Sequence, residues 1–280
     1  MLYDGGESLR IMVHNTSPLP ENIRAPSLPS VPRALHILEH IVGSAGGLTL
    51  AQLTRTLGFP RSSMHCLLLT LEREGYIQRS NPRAPYLPGA RLMTLSGKAL
   101  AGTGLREKAL PALRTLMKGT MLTVHMAIPE GEQVTLVVQL APASTRVITF
   151  LGQRFGWHCT ALGKAIVAHL PADVMDVMLQ GHALAPHNEQ TITSPRKLGG
   201  DLALTQRRGY AIDDEENVMG FRCLGAPLFD TEGLPVAAIS LMGTVAQITD
   251  INVNVFAREL CETAKRISAL LGTSHQAGRL

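Results

Sequence analysis

The chain has 280 residues, of which 45% are hydrophobic and 17% charged, with four cysteines and a formal net charge of +4. By length it holds two domains rather than one, and its composition excludes an intrinsically disordered chain. No apolar run approaches a membrane span, no basic-then-apolar leader opens the chain, and Cys66, Cys159, Cys223 and Cys261 form neither a CxxC pair nor a disulfide framework, so a reduced, cytoplasmic protein with no membrane partner is expected.

The charge is unevenly placed. Residues 1–103 carry ten Lys/Arg against six Asp/Glu, whereas 104–280 carry sixteen of each. A small basic module at the N-terminal end is the electrostatic footprint of phosphate-backbone binding, although an ordinary solvated surface has the same balance.

In chain order, residues 1–30 hold Pro18, Pro20, Pro26 and Pro29 without periodicity and are expected to form a disordered arm. A winged helix-turn-helix domain is expected over 31–89. Leu35, Leu38, Ile41 and Val42 recur at helical spacing. Thr49-Leu50-Ala51-Gln52 is a capping box that opens a second helix. After Gly58-Phe59-Pro60 a third helix begins, with Met64, Leu67, Leu68 and Leu71 on its apolar side and Gly75 at its end. Tyr76–Arg79 and the residues around Tyr86-Leu87 read as two short strands around a basic tip, Ser80-Asn81-Pro82-Arg83. The short turn between the second and third helices is the spacing of a DNA-reading pair.

Residues 90–108 read as a linker helix weakened by Gly97, Gly102 and Gly104, and Pro111 as the start of the next helix. Residues 109–272 alternate strand and helix signals and are expected to form a GAF-like α/β domain with a mostly antiparallel sheet. Strands are expected at Leu122–Ile128, Val134–Leu140, Arg146–Phe150, Arg222–Phe229 and Pro235–Met242. Helices are expected at Ala161–His169, Ala172–Gln180 and Pro195–Arg208, the last between Ser194 and Gly209, and a final helix capped by Asp250. Residues 273–280 are expected to be a flexible tail. The fold class is α+β.

Two constellations carry chemistry. The polar side of the third helix presents Arg61, Ser62, Ser63, His65 and Thr70, short hydroxyls and cationic groups that can bond phosphates and base edges in a major groove, with Arg79 and Arg83 on the wing. In Trp157-His158-Cys159-Thr160-Ala161-Leu162-Gly163-Lys164, Thr160 can cap a helix whose first amides, on Ala161, Leu162 and Gly163, point at one spot. Such a turn is an anion site, or equally a capped end facing water.

The stretch TLAQLTRTLGFPRSSMHCLLLTLEREGY resembles the reader domain of the IclR family of bacterial transcriptional regulators. HCTALGKAIVAHLP, RRGYAIDDEENVMGFRCLGAPLFDTEG and VAAISLMG resemble that family's effector-binding domain. The similarity runs from Val31 to about Leu271 and implies a ligand-responsive DNA-binding regulator. It implies an effector pocket in which the amides of Ala161, Leu162 and Gly163 hold the anionic end of a small organic acid, with Asp213, Cys223 and Ser240 around it. It also implies a homodimer or homotetramer acting on a pseudo-palindromic double-stranded operator. Asp214 through Glu216 read as a solvated acidic loop. Two positions depart from the family: Cys66 stands where an arginine is common, and Met242 where a hydroxyl is common. Met242 makes the pocket more apolar and points to an effector less polar than glyoxylate or pyruvate, aromatic acids included.

The rival class is a cysteine- or carboxylate-dependent enzyme tethered to a DNA-binding module. The chain has no HExxH, GxSxG, Walker or dinucleotide motif, so no catalytic residue and no cofactor are expected. His158 and Cys159 with other histidines leave zinc open as an alternative, but their spacing is no recognisable ligand motif, so the reading is of no metal.

Overall fold

The computed structural model describes residues 29–101, 104–181 and 183–272. The expected N-terminal arm up to residue 28, Gly102 and the expected tail lie outside the described residues. Those described fall into two compact units that divide between residues 102 and 103.

In the first unit, α1 (Ser30–Val42) buries Ile37 and Ile41, α2 (Leu50–Leu57) buries Leu53, and α3 (Arg61–Arg73) buries Met64, Leu68 and Leu71. The capping box forms as the sequence predicts: Thr49 accepts from the Gln52 amide and the Gln52 side chain accepts from the Thr49 amide. α3 ends in a Schellman turn, in which the Tyr76 N–H reaches the Leu71 carbonyl at 2.9 Å and the Gly75 N–H the Glu72 carbonyl at 3.0 Å. Gly75 has φ +76°, which a β-carbon would penalise. The wing is the antiparallel pair β1 (Ile77–Gln78) and β2 (Leu87–Pro88), extended by one bridge between Leu48 and Tyr86.

The linker helix expected over 90–108 is not one helix. α4 (Ala90–Ala101) belongs to the first unit, and α5 (Leu105–Thr120) begins after Gly104, whose left-handed φ of +58° breaks the path. Pro111 does not start α5 but lies inside it. The backbone bond that proline removes is outweighed by a buried stripe of Ala109, Leu113 and Leu116, on a helix that packs against α9 (Val253–Gly272).

The second unit is built on a six-stranded antiparallel sheet in the order β5-β4-β3-β8-β7-β6. Its strands are β3 (Thr123–Glu130), β4 (Gln133–Leu140), β5 (Arg154–Gly156), β6 (Ala211–Asp214), β7 (Phe221–Phe229) and β8 (Pro235–Thr244). The helices α6 (Ala161–Val167), α7 (Ala172–Gly181) and α8 (Pro195–Arg208) bury Ala165, Ile166, Met178, Leu198 and Leu202 in one core with Ala127, Leu136 and Ala238 of the sheet. Val124, Leu224, Ile239 and Leu241 alternate to the other face and are buried there, where α5 and α9 pack.

Two further expectations are corrected, and one strand was not foreseen. Arg146–Phe150 is not a strand, because the edge of β4 is taken by Arg154–Gly156, paired from Thr135 to Gln133. Val147, Ile148 and Phe150 of that segment are exposed. The strand β6 carried no apolar run and was not expected. Asp250 does not cap α9; its carboxylate accepts from Arg222 Nη1 at 2.9 Å. Among the described residues no helix is long and apolar enough to cross a membrane.

Candidate functional site

Two surfaces gather the predicted residues, one in each unit. On α3, Arg61, Ser62, His65 and Thr70 are exposed and Ser63 partly so, on the side opposite Met64, Leu68 and Leu71. The Thr70 hydroxyl already donates to the Cys66 carbonyl of its own helix at 2.9 Å. The two wing arginines differ. Arg83 is exposed at the tip. Arg79 is committed inside the unit: its Nε and Nη2 donate to both Glu72 carboxylate oxygens at 2.9 and 3.1 Å, Nη1 donates to the Pro82 carbonyl, and the guanidinium lies over the Tyr86 ring at 4.7 Å. Arg79 therefore braces the wing on α3, a role that sequence reading did not assign to it.

In the second unit, register alone assembles a polar floor. Asp213, Cys223, Met242 and Thr123 are successive partners across β6, β7, β8 and β3, and Gly225, Ser240 and His125 form the adjacent row two residues along. Residues two apart on a strand share a face, so these rows lie on one side of the sheet. Over them is a cavity of about 940 Å³ lined by His125, Asp213, Cys223, Ser240, Ala161 and Leu162, with Trp157, Phe155 and Phe221 among its apolar walls. The start of α6 rests directly on β7 because residue 225 is glycine: a β-carbon there would lie 2.2 Å from the Ala161 carbonyl oxygen.

Of the three amides expected at the anion site, two remain. Thr160 Oγ1 takes the Gly163 N–H at 3.2 Å, so Gly163 has no free donor, and it serves instead to let the Trp157 backbone approach. Ala161 and Leu162 line the cavity.

Of the acidic run read as a solvated loop, Asp214 is exposed as expected, but Glu216 is buried and all three carboxylates have partners. Asp214 grips Arg222 through both oxygens at 2.7 and 3.0 Å, and Glu215 accepts from the Gly220 N–H. Glu216 is buried and meets Lys164 Nζ at 2.5 Å, with Asp201 Oδ2 2.8 Å from the same nitrogen. Lys164 is fully buried at the first turn of α6, so this trio ties the start of that helix to α8 and to the turn after β6. Asp213 Oδ1 accepts the N–H groups of Glu216 and Asn217 at 2.9 and 3.3 Å, which fixes the turn.

Burial pushes the Asp213 carboxyl up to about 7, against the pull of Lys164 and with that of Glu216. The folded chain then holds a proton that the unfolded chain has released, so this contribution to stability is complete below about pH 4 and is lost as pH rises to about 7. His125 acts oppositely below its ordinary value, since burial holds it down to about 4. Asp213→Asn keeps an oxygen for the two amides and removes one titration. The stability of this variant relative to wild type is expected to rise with pH between about 4 and 7 and to level off above. Unfolding followed by fluorescence of Trp157, the single and buried tryptophan, reads this unit. A pH-independent difference would contradict the assignment.

His125 was missed by sequence reading. Its Nε2 lies 3.0 Å from Thr149 Oγ1, and the alternation in Thr123–Ile128, which sets His125 on the face opposite Val124 and Met126, was the available signal. Burial, with Asp213 nearby, raises the Cys223 thiol well above its ordinary range, so it stays protonated and is no nucleophile.

Both units match known proteins. Residues 30–81 match the IclR helix-turn-helix domain and 97–269 the C-terminal domain of the bacterial transcriptional regulator IclR. The chain is 31% identical to the transcriptional repressor IclR of Escherichia coli over 87% of its own length and 90% of that protein's. The crystal structure of Thermotoga maritima IclR superposes with a TM-score of 0.76 at 30% identity, over 87% of this chain and 98% of that one. An IclR homologue from Microbacterium hydrocarbonoxydans, solved with 4-hydroxybenzoate, shares the fold with a TM-score of 0.75 at 22% identity, over 86% of this chain and 98% of that one. With family models spanning both units and relatives named as regulators and repressors, the chain belongs to the IclR family and is a DNA-binding transcriptional regulator rather than an enzyme.

Proposed function

We propose that the chain is a cytoplasmic regulator whose operator affinity is set by a small organic acid held in the cavity of its second unit. The observation that carries this reading is the cavity itself: a carboxyl, a thiol, a hydroxyl and an imidazole, from Asp213, Cys223, Ser240 and His125, converge on a space with aromatic walls. Few, fixed polar groups in an apolar cup are the build of a small-molecule site. The amides of Ala161 and Leu162 take the anionic end of the acid, and Asp213 and Ser240 bond its hydroxyl or carbonyl. About 940 Å³ is roomy for a two- or three-carbon acid, and Phe155, Trp157, Phe221 and Met242 suit a ring. The acid is therefore of the hydroxylated aromatic class, in line with the 4-hydroxybenzoate of the fold neighbour. Calorimetric titration with carboxylates of both kinds tests this: Ser240→Ala is expected to lose about 1–3 kcal/mol of acid affinity. Equal affinity in wild type and variant would place the site elsewhere.

Arg61, Ser62, Ser63, His65 and Thr70 read the major groove, and Arg83 contacts the backbone beside it. Arg83→Ala is expected to weaken binding to all duplexes and to lower the salt slope by about 1, whereas Ser63→Ala changes sequence preference. A salt slope unchanged by Arg83→Ala, measured by fluorescence anisotropy, would remove the wing from the interface.

One such reader makes few contacts, so the working form is a homodimer joined in part through residues 31–108, or a tetramer of such pairs, on a pseudo-palindromic site. Val31, Leu35, Met93 and Leu95, each more than half exposed on α1 and α4, supply apolar surface for it. The stretch joining the two units carries the signal, since an acid changes DNA affinity only by binding one arrangement better than another. Sedimentation at micromolar concentration is expected to show no monomer, and a monomer with and without DNA would contradict the assembly.

A further inference from the structure

We propose that His158, Cys159 and His187 form a binding site for a zinc-type divalent cation on the cavity wall. One donor atom from each of the three lies within 4.8 Å of the other two. Donors around a tetrahedral zinc, with bonds of about 2.0–2.3 Å, stand roughly 3.5 Å apart. His187 is exposed, so its side chain is free to turn toward the other two donors.

Three independent features prepare the site. The first is the orientation of His158. Its Nε2 is 3.0 Å from the Ala185 carbonyl oxygen, which can only accept, so Nε2 carries the hydrogen and Nδ1 presents its lone pair. Metal-bound histidines are held in this way, by a carbonyl or carboxylate on the far nitrogen. The second is Gly156. A β-carbon there would lie 3.2 Å from His158 Nδ1 and 3.4 Å from Cys159 Sγ, so the absence of a side chain keeps the shared side of both donors open. The third is the anchoring of the third ligand. The N–H groups of His187 and Asn188 both donate to Thr191 Oγ1 at 3.1 Å, Thr191 Oγ1 donates to the Glu216 carbonyl at 2.7 Å, and Asn188 Nδ2 donates to the Glu215 carbonyl at 2.9 Å. The loop that brings His187 over His158, with ring centroids 6.0 Å apart, is thus fixed to the turn after β6.

Two imidazoles and a thiolate select a borderline-soft cation such as zinc over magnesium or calcium. Three protein donors leave a fourth position. Both histidines line the cavity, so that position opens into it, where a water or a carboxylate oxygen completes the set. The 27 residues between Cys159 and His187 match no short ligand motif, which is why sequence spacing alone pointed to no metal.

The test uses the full chain without an affinity tag, stripped by chelator and titrated with Zn²⁺ by competition and with Co²⁺ by absorbance. One equivalent per chain is expected, with tetrahedral ligand-field bands and a thiolate-to-cobalt charge-transfer band. His187→Ala, at an exposed position where folding is not at stake, is expected to weaken zinc binding at least tenfold. Gly156→Ala is expected to weaken it as well, and Cys159→Ala to abolish the charge-transfer band, with folding of each checked by Trp157 fluorescence. No stoichiometric uptake at micromolar zinc, unchanged affinity in His187→Ala, or a cobalt spectrum without the thiolate band would each overturn the proposal. DNA and acid binding, measured on the metal-stripped chain, separate this result from the regulatory reading above.

Discussion

Lys164→Met is expected to destabilise the second unit by about 3–5 kcal/mol, because it strips the cation from two carboxylates. Lys164 has no exposed surface, and its ammonium group bridges Glu216 at 2.5 Å and Asp201 at 2.8 Å. Without it Glu216, also buried, loses the cation that offsets its charge and keeps only a backbone hydrogen bond from Ile192 in its place. Neutralising the whole trio, as Lys164→Met with Glu216→Gln and Asp201→Asn, is expected to recover most of the loss, since no uncompensated charge remains. Denaturant unfolding followed at Trp157 reports on this unit without interference from the first. If the single variant proves as stable as wild type, the trio does not hold α6 in place.

Gly225→Ala carries the second large effect, and its sign is diagnostic. In a strand interior, exchanging glycine for alanine ordinarily gains stability, about 0.5–1 kcal/mol, by reducing unfolded-chain entropy. Here the new methyl would sit 2.2 Å from the Ala161 carbonyl oxygen and 2.5 Å from its carbon, both backbone atoms that no rotamer change can move. The helix start must lift from the sheet, at a cost of about 1–3 kcal/mol or more. Because Ala161 and Leu162 line the cavity, acid affinity is expected to fall together with stability. A stabilised variant with normal acid binding would show that the close seating of α6 on β7 is not needed.

The sequence was most legible where neighbours in the chain are neighbours in space. The capping box at Thr49, the cap at Ser194 and the left-handed Gly209 after α8 need only a few adjacent residues, and all form as read. The cavity floor was half legible: Asp213, Cys223 and Ser240 do come together, while their partner His125 sits more than a hundred residues from Ser240 and only strand register joins them. The failures share that cause. Glu216 looked solvated because its partner Lys164 is 52 residues away. The pairing of Arg79 with Glu72 was likewise not read, because that bidentate acceptor lies on the preceding helix. Arg146–Phe150 has the β-branched and aromatic residues of a strand, yet the β4 edge had another occupant, and the choice between two short segments for one edge is a tertiary decision.

The proposed control of operator binding by acid in the cavity is read in the affinity of the full chain for a selected operator duplex, measured by anisotropy with and without saturating pyruvate and 4-hydroxybenzoate. The expected result is preference for that duplex over bulk DNA, a shift of at least about fivefold with 4-hydroxybenzoate that exceeds any shift with pyruvate, and loss of the shift in Ser240→Ala with acid-free DNA affinity retained. An acid that binds the cavity yet leaves operator affinity unchanged, or an equal shift in Ser240→Ala, would contradict it.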